Sequence, residues 1–234
     1  MYEEVIKMHI SYNPYIAIIG DIKQSKQIND RRTVQMELTS ILSEINQRYS
    51  DDLASRFNIT LGDEFQGLLN RGDNIMNIIY EIESKMYPVE IRFGIGVGEI
   101  TTDIDAEFPL GADGPAYYNA RYAIELLKSS EKRNKTAKSN ILIRLNEENE
   151  LTENMLNTIL SLLTVIKNKW SDRQREVVSD YITHRDSQVK VANRLGITQS
   201  SVQKSLSNAE YYSFKEAVDV VSCALSGIRR RENV

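Results

Sequence analysis

Short apolar runs alternate along this chain with longer stretches in which apolar residues return every three or four positions. "YIAIIGD" (15–21) is a continuous apolar run ending in Gly-Asp, the pattern of a buried strand that delivers a carboxylate at its C-terminal end. From about Asp30 to Tyr49, Val34, Leu38, Ile41, Leu42 and Ile45 recur at helical spacing and predict an amphipathic helix. "RFNITLGDEFQGLLN" (56–70) is two apolar runs around Gly62-Asp63, which predicts a hairpin with a tight turn. Ile75, Ile78, Ile79, Ile82 and Met86 form a second helical stripe, stopped by Pro88. "VEIRFGIGVGEI" (89–100) reads as a strand, Gly114 to about Lys128 as a helix, and "NILIRL" (140–145) as a closing strand.

Strand, helix, hairpin, helix, strand, helix, strand predicts an α+β, ferredoxin-like sandwich, with its helices on one face of a mainly antiparallel sheet. The polar stretch "RLNEENELTEN" is the natural boundary, and only helical patterns follow it. Two domains are expected, residues 1–148 and 149–234, the second all-α.

Composition adds little except at its edges. Hydrophobic residues at 41% and charged residues at 26% suit a globular protein with a sizeable core. The lone Cys223 excludes a disulfide framework and a cysteine zinc site. No apolar run approaches the roughly 20 residues that span a bilayer, so a cytoplasmic protein without membrane association is expected. The net charge of −4 is unevenly shared: residues 170–234 carry 10 Lys/Arg against 8 Asp/Glu, which leaves 19 against 25 for the remainder. An acidic body with a mildly basic tail suggests different partners for the two parts.

The tail has a pattern of its own. In "DSQVKVANRLGITQSSVQKSLSNA" (186–209), Ala192 is small enough to let two helices cross, and Gly196 takes a turn that needs positive φ. Thr198 can cap a second helix, on which Val202 and Leu206 face inward. Upstream, "WSDRQREVVSDYI" supplies a supporting helix with Ser171 as its N-cap. The segment resembles the helix-turn-helix end of sigma-factor region-four and response-regulator domains over roughly residues 170–211. That resemblance puts Gln199, Ser200, Gln203, Lys204 and Ser207 on an outward, DNA-reading face, with Gln and Ser toward base edges and Lys204 toward phosphate or guanine. Double-stranded DNA and a homodimer are the expected partners.

In the sheet, Gly20-Asp21 and Gly62-Asp63 end neighbouring strands, so their carboxylates can converge. Paired carboxylates at a sheet edge can hold Mg²⁺ against a triphosphate. The segment after Asp21, with Lys23, Ser25 and Lys26, can receive phosphate on its backbone N–H groups, as can Gly62. Gly94, Gly96 and Gly98 alternate along one strand face, which means either a closely packed helix or room for a base.

"GDIKQSK", "TLGDEFQGLL", "IRFGIGVGEI" and "GADGPAYYNARYAIE" together resemble the SatD family over nearly the whole chain, and more remotely the class III nucleotide cyclases and diguanylate cyclases. The cyclase resemblance implies Asp21, Asp63 and the carbonyl of Ile22 as Mg²⁺ ligands. Beside that resemblance, Glu64, Asp113, Tyr118 and Arg121 are further candidates for a site or interface, Glu64 equally for a structural or salt-bridging role. Tyr118 and Tyr122 stand where class III cyclases carry an Asn and an Arg. Three functions are consistent with these motifs: a DNA-binding regulator whose cyclase-like domain binds a nucleotide or Mg-nucleotide, a Mg-dependent nucleotidyl cyclase or transferase, and a non-catalytic scaffold.

Overall fold

A computed structural model describes residues 8, 10–109, 111–133 and 139–230. Five strands form one sheet: β1 (Tyr15–Ile22), β2 (Leu53–Leu61), β3 (Glu64–Leu69), β4 (Ile91–Gly98) and β5 (Ile141–Arg144), in the order β2-β3-β1-β4-β5. The first four pair antiparallel, and β5 joins β4 in parallel. With α1 (Arg31–Arg48) between β1 and β2, and α2 (Ile75–Met86) between β3 and β4, the first six elements have the split βαββαβ connectivity. A long crossover helix, α3 (Pro115–Arg133), then leads to β5.

The local reasons are those the sequence suggests. Asp30 caps α1 by accepting from the Thr33 amide at 3.0 Å, and the stripe Leu38, Ile41, Leu42, Ile45 is buried. Gly62 takes the hairpin turn at φ 59°. α2 buries Ile75, Ile78, Ile79, Ile82 and Met86. Each such fully buried isoleucine stabilises the fold by about 1.5–3 kcal/mol.

One expectation is corrected: the helices do not share one face. Ile16, Ile18, Phe65, Phe93 and Ile95 point to one side and join the cluster containing α1 and α2, while Ala17, Ile19 and Leu68 point to the other and meet α3. The glycines explain the second layer. A Cβ on Gly94 would lie 2.3 Å from the Ala120 carbonyl oxygen, and one on Gly96 would lie 2.2 Å from that of Ala116. The three alternating glycines therefore admit α3 at close range, and that helix fills the room a base would have needed.

Both sheet edges are covered. The loop between β4 and α3 lies along β2, where the Arg56 amide donates to Ala106 O at 2.9 Å and Ser55 Oγ to Asp105 O at 2.6 Å. At the other edge lies α4 (Glu150–Asn168), whose Asn157 side chain bonds both the amide and the carbonyl of Ile143 at 2.8 Å.

After α4 come α5 (Asp172–His184), α6 (Gln188–Leu195), α7 (Gln199–Asn208) and α8 (Tyr211–Ser226). Ser171 caps α5 through a capping box with Gln174. Gly196 is left-handed at φ 63°, and Thr198 accepts from the Ser201 amide at 3.1 Å. Val177, Val178, Val191, Ala192, Val202 and Leu206 form a small separate core. A short turn at Glu147–Asn149 precedes α4, and α4 and α8 send Leu156, Leu160, Leu163, Phe214, Val221 and Leu225 into the sheet's main core. Beyond α8 the chain returns to the sheet body: the Gly72 amide donates to Ile228 O at 2.9 Å, and Arg230 stacks on the Tyr15 ring. Among the described residues, no helix is long and apolar enough to cross a membrane.

Candidate functional site

The C-terminal end of β1 places Asp21 opposite Glu64 on β3 and opposite Arg92 on β4. Residues opposite one another in antiparallel strands share a face, and this face lies under α3. All three are buried: Asp21 is 4% exposed, Glu64 6% and Arg92 8%. From above, α3 contributes Arg121, Lys128 and Glu131, spaced by seven and three residues and so on one helical face.

The contacts are specific. Asp21 gives one oxygen to Arg92 at 2.6 Å and the other to Lys128 at 2.6 Å. Glu64 accepts from Arg121, and Glu131 accepts from Arg92 through both carboxylate oxygens. Lys23 completes the cluster, 3.1 Å from Glu90 and 3.3 Å from Glu131. Burial works against the Arg92 charge, but the bonds from Glu131 and Asp21 outweigh it and raise its pKa. The bond from Glu64 does the same for Arg121, and burial opposes it. Burial pushes the Glu131 carboxyl up, yet Arg92 and Lys23 together hold it below the usual carboxylate range.

A buried ionic network of this kind adds little net stability, because desolvation consumes most of the Coulombic gain. Its placement at a sheet end, with the Lys128 and Arg121 side chains about two-fifths exposed at its mouth, marks a functional candidate. Those two cations can release their carboxylates and take the oxygens of an anionic ligand.

The hairpin turn lies beside this row. The Ile22 amide donates to Asp63 O at 3.0 Å, so the backbones of the two Gly-Asp pairs meet. Their side chains are held by different partners, for Asp63 takes the Ser25 hydroxyl. The Gly62 carbonyl accepts from Gln35. Gln24 is left-handed at φ 51° and turns the chain into Ser25, which is buried, while Lys26 is exposed.

A resident metal does not fit this arrangement. Mg²⁺ requires oxygen ligands in near-octahedral array, and both Asp21 oxygens already face cations of the chain. Among the described residues no group of three or more His, Cys, Asp or Glu is placed to hold a metal.

The structure thus brings Asp21, Glu64 and Arg121 together, with Asp63, Ser25 and Lys23 alongside. Asp113 and Tyr118 are bonded to each other at 2.5 Å at the start of α3, one turn before Arg121. Tyr118 and Lys128 are ten residues apart, a rise of about 15 Å along the helix. Arg92, Lys128 and Glu131 escaped the sequence reading. A charged residue inside an otherwise apolar strand was the available signal for Arg92.

On α7, Gln199, Ser200, Gln203, Lys204 and Ser207 are all exposed. Gln188 at the start of α6 accepts from Gln199 at 2.8 Å and donates to Gln203, which itself donates to Ser207 at 3.2 Å.

Comparison with known proteins gives a family and a set of loose structural likenesses. A family model described as the SatD family matches residues 15–215. No curated protein matches the chain. Among solved structures, a bacterial light-regulated adenylyl cyclase is 12% identical with a TM-score of 0.42, covering 56% of this chain and 75% of that one. The guanylate cyclase domain of RhGC from Catenaria anguillulae in complex with GTP is 16% identical with a TM-score of 0.40, covering 61% and 83%. An EAL/GGDEF domain protein from M. capsulatus is 19% identical with a TM-score of 0.32, covering 55% and 85%. These three are nucleotide cyclase and GGDEF-type proteins.

Proposed function

The chain belongs to the SatD family, and we propose that it is a cytoplasmic regulator whose sheet domain binds the phosphates of a nucleotide and whose α6–α7 segment is a DNA-binding helix-turn-helix. The observation that carries the first half is the buried row Glu64–Asp21–Arg92, covered by Arg121 and Lys128 at its mouth. A phosphate displaces the two carboxylates from Arg121 and Lys128, and Lys23 and the Ser25–Lys26 turn flank it. The chain's own cations supply the positive charge. Before phosphate binds, each Asp21 oxygen is ion-paired within the chain.

The second half is supported by the turn at Gly196, the Thr198 cap and the exposed polar face of α7. Lys204 meets phosphate and Gln199 and Gln203 meet base edges, after Gln188 yields them. Two copies acting as a dimer would read paired half-sites. α8 supplies a link between the parts: it follows α7 directly, and Phe214, Val221 and Leu225 lie in the sheet's core.

The test is calorimetry of the full chain with ATP and with GTP, in EDTA and in Mg²⁺, beside Arg121→Gln/Lys128→Gln. Binding that survives EDTA and weakens by about tenfold or more in the double variant supports the site. No heat with either nucleotide, or equal binding by the variant, removes it. For the DNA half, duplex binding should fall steeply with salt, and Lys204→Ala should weaken it and flatten that slope. Salt-independent or absent binding removes this half alone.

A further inference from the structure

Away from the sheet-end site, a cleft of about 1070 Å³ opens between the sheet body and the helical segment. One wall is α2 with Asn77 and Tyr80, followed by Tyr87; the other is α5 with Arg175 and Ile182, followed by Arg185; Trp170 also lines the cleft. The volume is at the upper end of the range for small-molecule sites, which combine apolar walls with a few placed polar groups.

The electrostatics of the lining decide what fits. Six carboxylates border the cleft, and each is engaged by the protein itself. Glu81 pairs with Arg48 and Lys85, Glu83 with Lys167, Glu90 with Lys23, and Glu176 with Arg173. Asp180 takes Arg194, and Asp172 takes the Tyr87 hydroxyl. Two arginines have no carboxylate partner among the described residues. Arg175 lies over the rings of Tyr87 and Trp170, 4.9 and 5.9 Å from their centroids, and gives one N–H to Lys167 O. Arg185 reaches across the cleft to Asn77 Oδ1 at 3.0 Å. A guanidinium has five N–H donors, so most of the donors on both remain for a ligand. Behind them, the buried Tyr80 hydroxyl has no hydrogen-bond partner.

We propose that this cleft is a second ligand site, for a small organic anion that carries a planar ring. The anionic group sits between Arg175 and Arg185, and the ring lies among Tyr80, Tyr87 and Trp170. Its place suits an effector. Arg185 already spans α5 and α2, and Trp170 donates to the carbonyl of Ala209, at the end of α7, at 2.7 Å. A ligand here would set how the α5–α7 core stands against the sheet, so binding is reported by groups that touch the proposed DNA-reading helix.

Trp170 is the chain's one tryptophan, so its emission reports on the cleft. The full chain would be titrated with 5′-AMP, 5′-GMP and benzoate. Adenosine (a ring without the anion) and inorganic phosphate (the anion without a ring) serve as controls. The expected result is a saturable emission change with at least one ring-bearing anion and with neither control. Arg175→Gln/Arg185→Gln should weaken it by about tenfold or more, confirmed by calorimetry. Arg185→Gln alone leaves the Arg175–Trp170 stack in place and should still weaken binding. The cleft signal should persist in Arg121→Gln/Lys128→Gln, which separates this site from the one at the sheet end. No saturable response to any of the three anions overturns the proposal. So does an equal response to adenosine or phosphate, or binding undiminished in both arginine variants.

Discussion

The two faces of the sheet pack their helices with side chains of opposite size. Toward α1 and α2 the strands present Ile16, Ile18, Phe65, Phe93 and Ile95, and the layer is filled by aliphatic and aromatic bulk. Toward α3 they present Ile19 and Leu68 but also Ala17, Gly94, Gly96 and Gly98, and these small positions are met by Ala116 and Ala120. The first face gains from volume, the second from proximity. Because α3 lies so close, no space remains beneath its middle, and the polar residues of that face, Asp21, Glu64 and Arg92, meet the helix's charges at one end. The candidate site is thus a product of the glycines as much as of the acids.

The comparison is broken hardest by removing bulk from the first face. Phe65 lies edge-on to Phe57 and Phe93, with ring centroids 6.4 and 6.0 Å away, and covers Gly20. Phe65→Ala should cost about 3–5 kcal/mol by denaturant titration. On the second face the opposite change is the informative one. Gly96→Ala adds a single methyl where two backbone atoms of α3 stand 2.2 Å away, and should cost about 1–3 kcal/mol. It should also weaken nucleotide binding, because lifting α3 withdraws Lys128 and Arg121. A Gly96→Ala protein of unchanged stability would contradict the close-approach account.

How much of this was legible follows the same division. The apolar periodicities located β1, α1, the hairpin, α2 and β4, because burial imposes a period of two or 3.6 on any sequence that forms them. The caps at Ser171 and Thr198 were legible because capping uses few residue types at fixed offsets. The second helical layer was not, since a glycine run states that something comes close without stating what. The charged row was half legible. Asp21 and Glu64 belong to recognisable motifs, but Arg92, Lys128 and Glu131 are joined to them only by strand register and a crossover helix, which no local pattern encodes. The cleft was illegible altogether, being made of α2 and α5, almost a hundred residues apart.

Acid should weaken the charged end of the second face before it touches the apolar first face. Glu131 is held below the usual carboxylate range, so the folded state binds its proton less readily than the unfolded chain does. Its contribution is present above the unfolded value and disappears as pH falls through the lower folded one. Melting temperatures followed downward from neutral pH should fall more steeply for the parent than for Glu131→Gln, the two curves converging in acid. Parallel curves would mean that Glu131 adds nothing pH-dependent to the fold.

The smallest expected effect on stability bears most directly on the chemistry. Lys128 is about two-fifths exposed, and Asp21, although buried, keeps Arg92, so Lys128→Ala should lower the melting temperature only slightly. What it changes is Asp21, which keeps Arg92 on one oxygen and loses its partner on the other. Oxygen released there is the donor type Mg²⁺ prefers. The parent, with Lys128 in place, should show no Mg²⁺-dependent rise in melting temperature, and Lys128→Ala should show one through mass action. Ca²⁺, larger and tolerant of irregular coordination, should act on the variant at least as well. A rise in the parent would instead mean that Lys128 yields to the metal, and the sheet end would then be a metal-nucleotide site in which the lysine only holds the carboxylate between ligands. No rise in either protein would leave phosphate recognition to Arg121, Lys128 and Lys23 alone, and would separate this site from two-metal chemistry on its own residues.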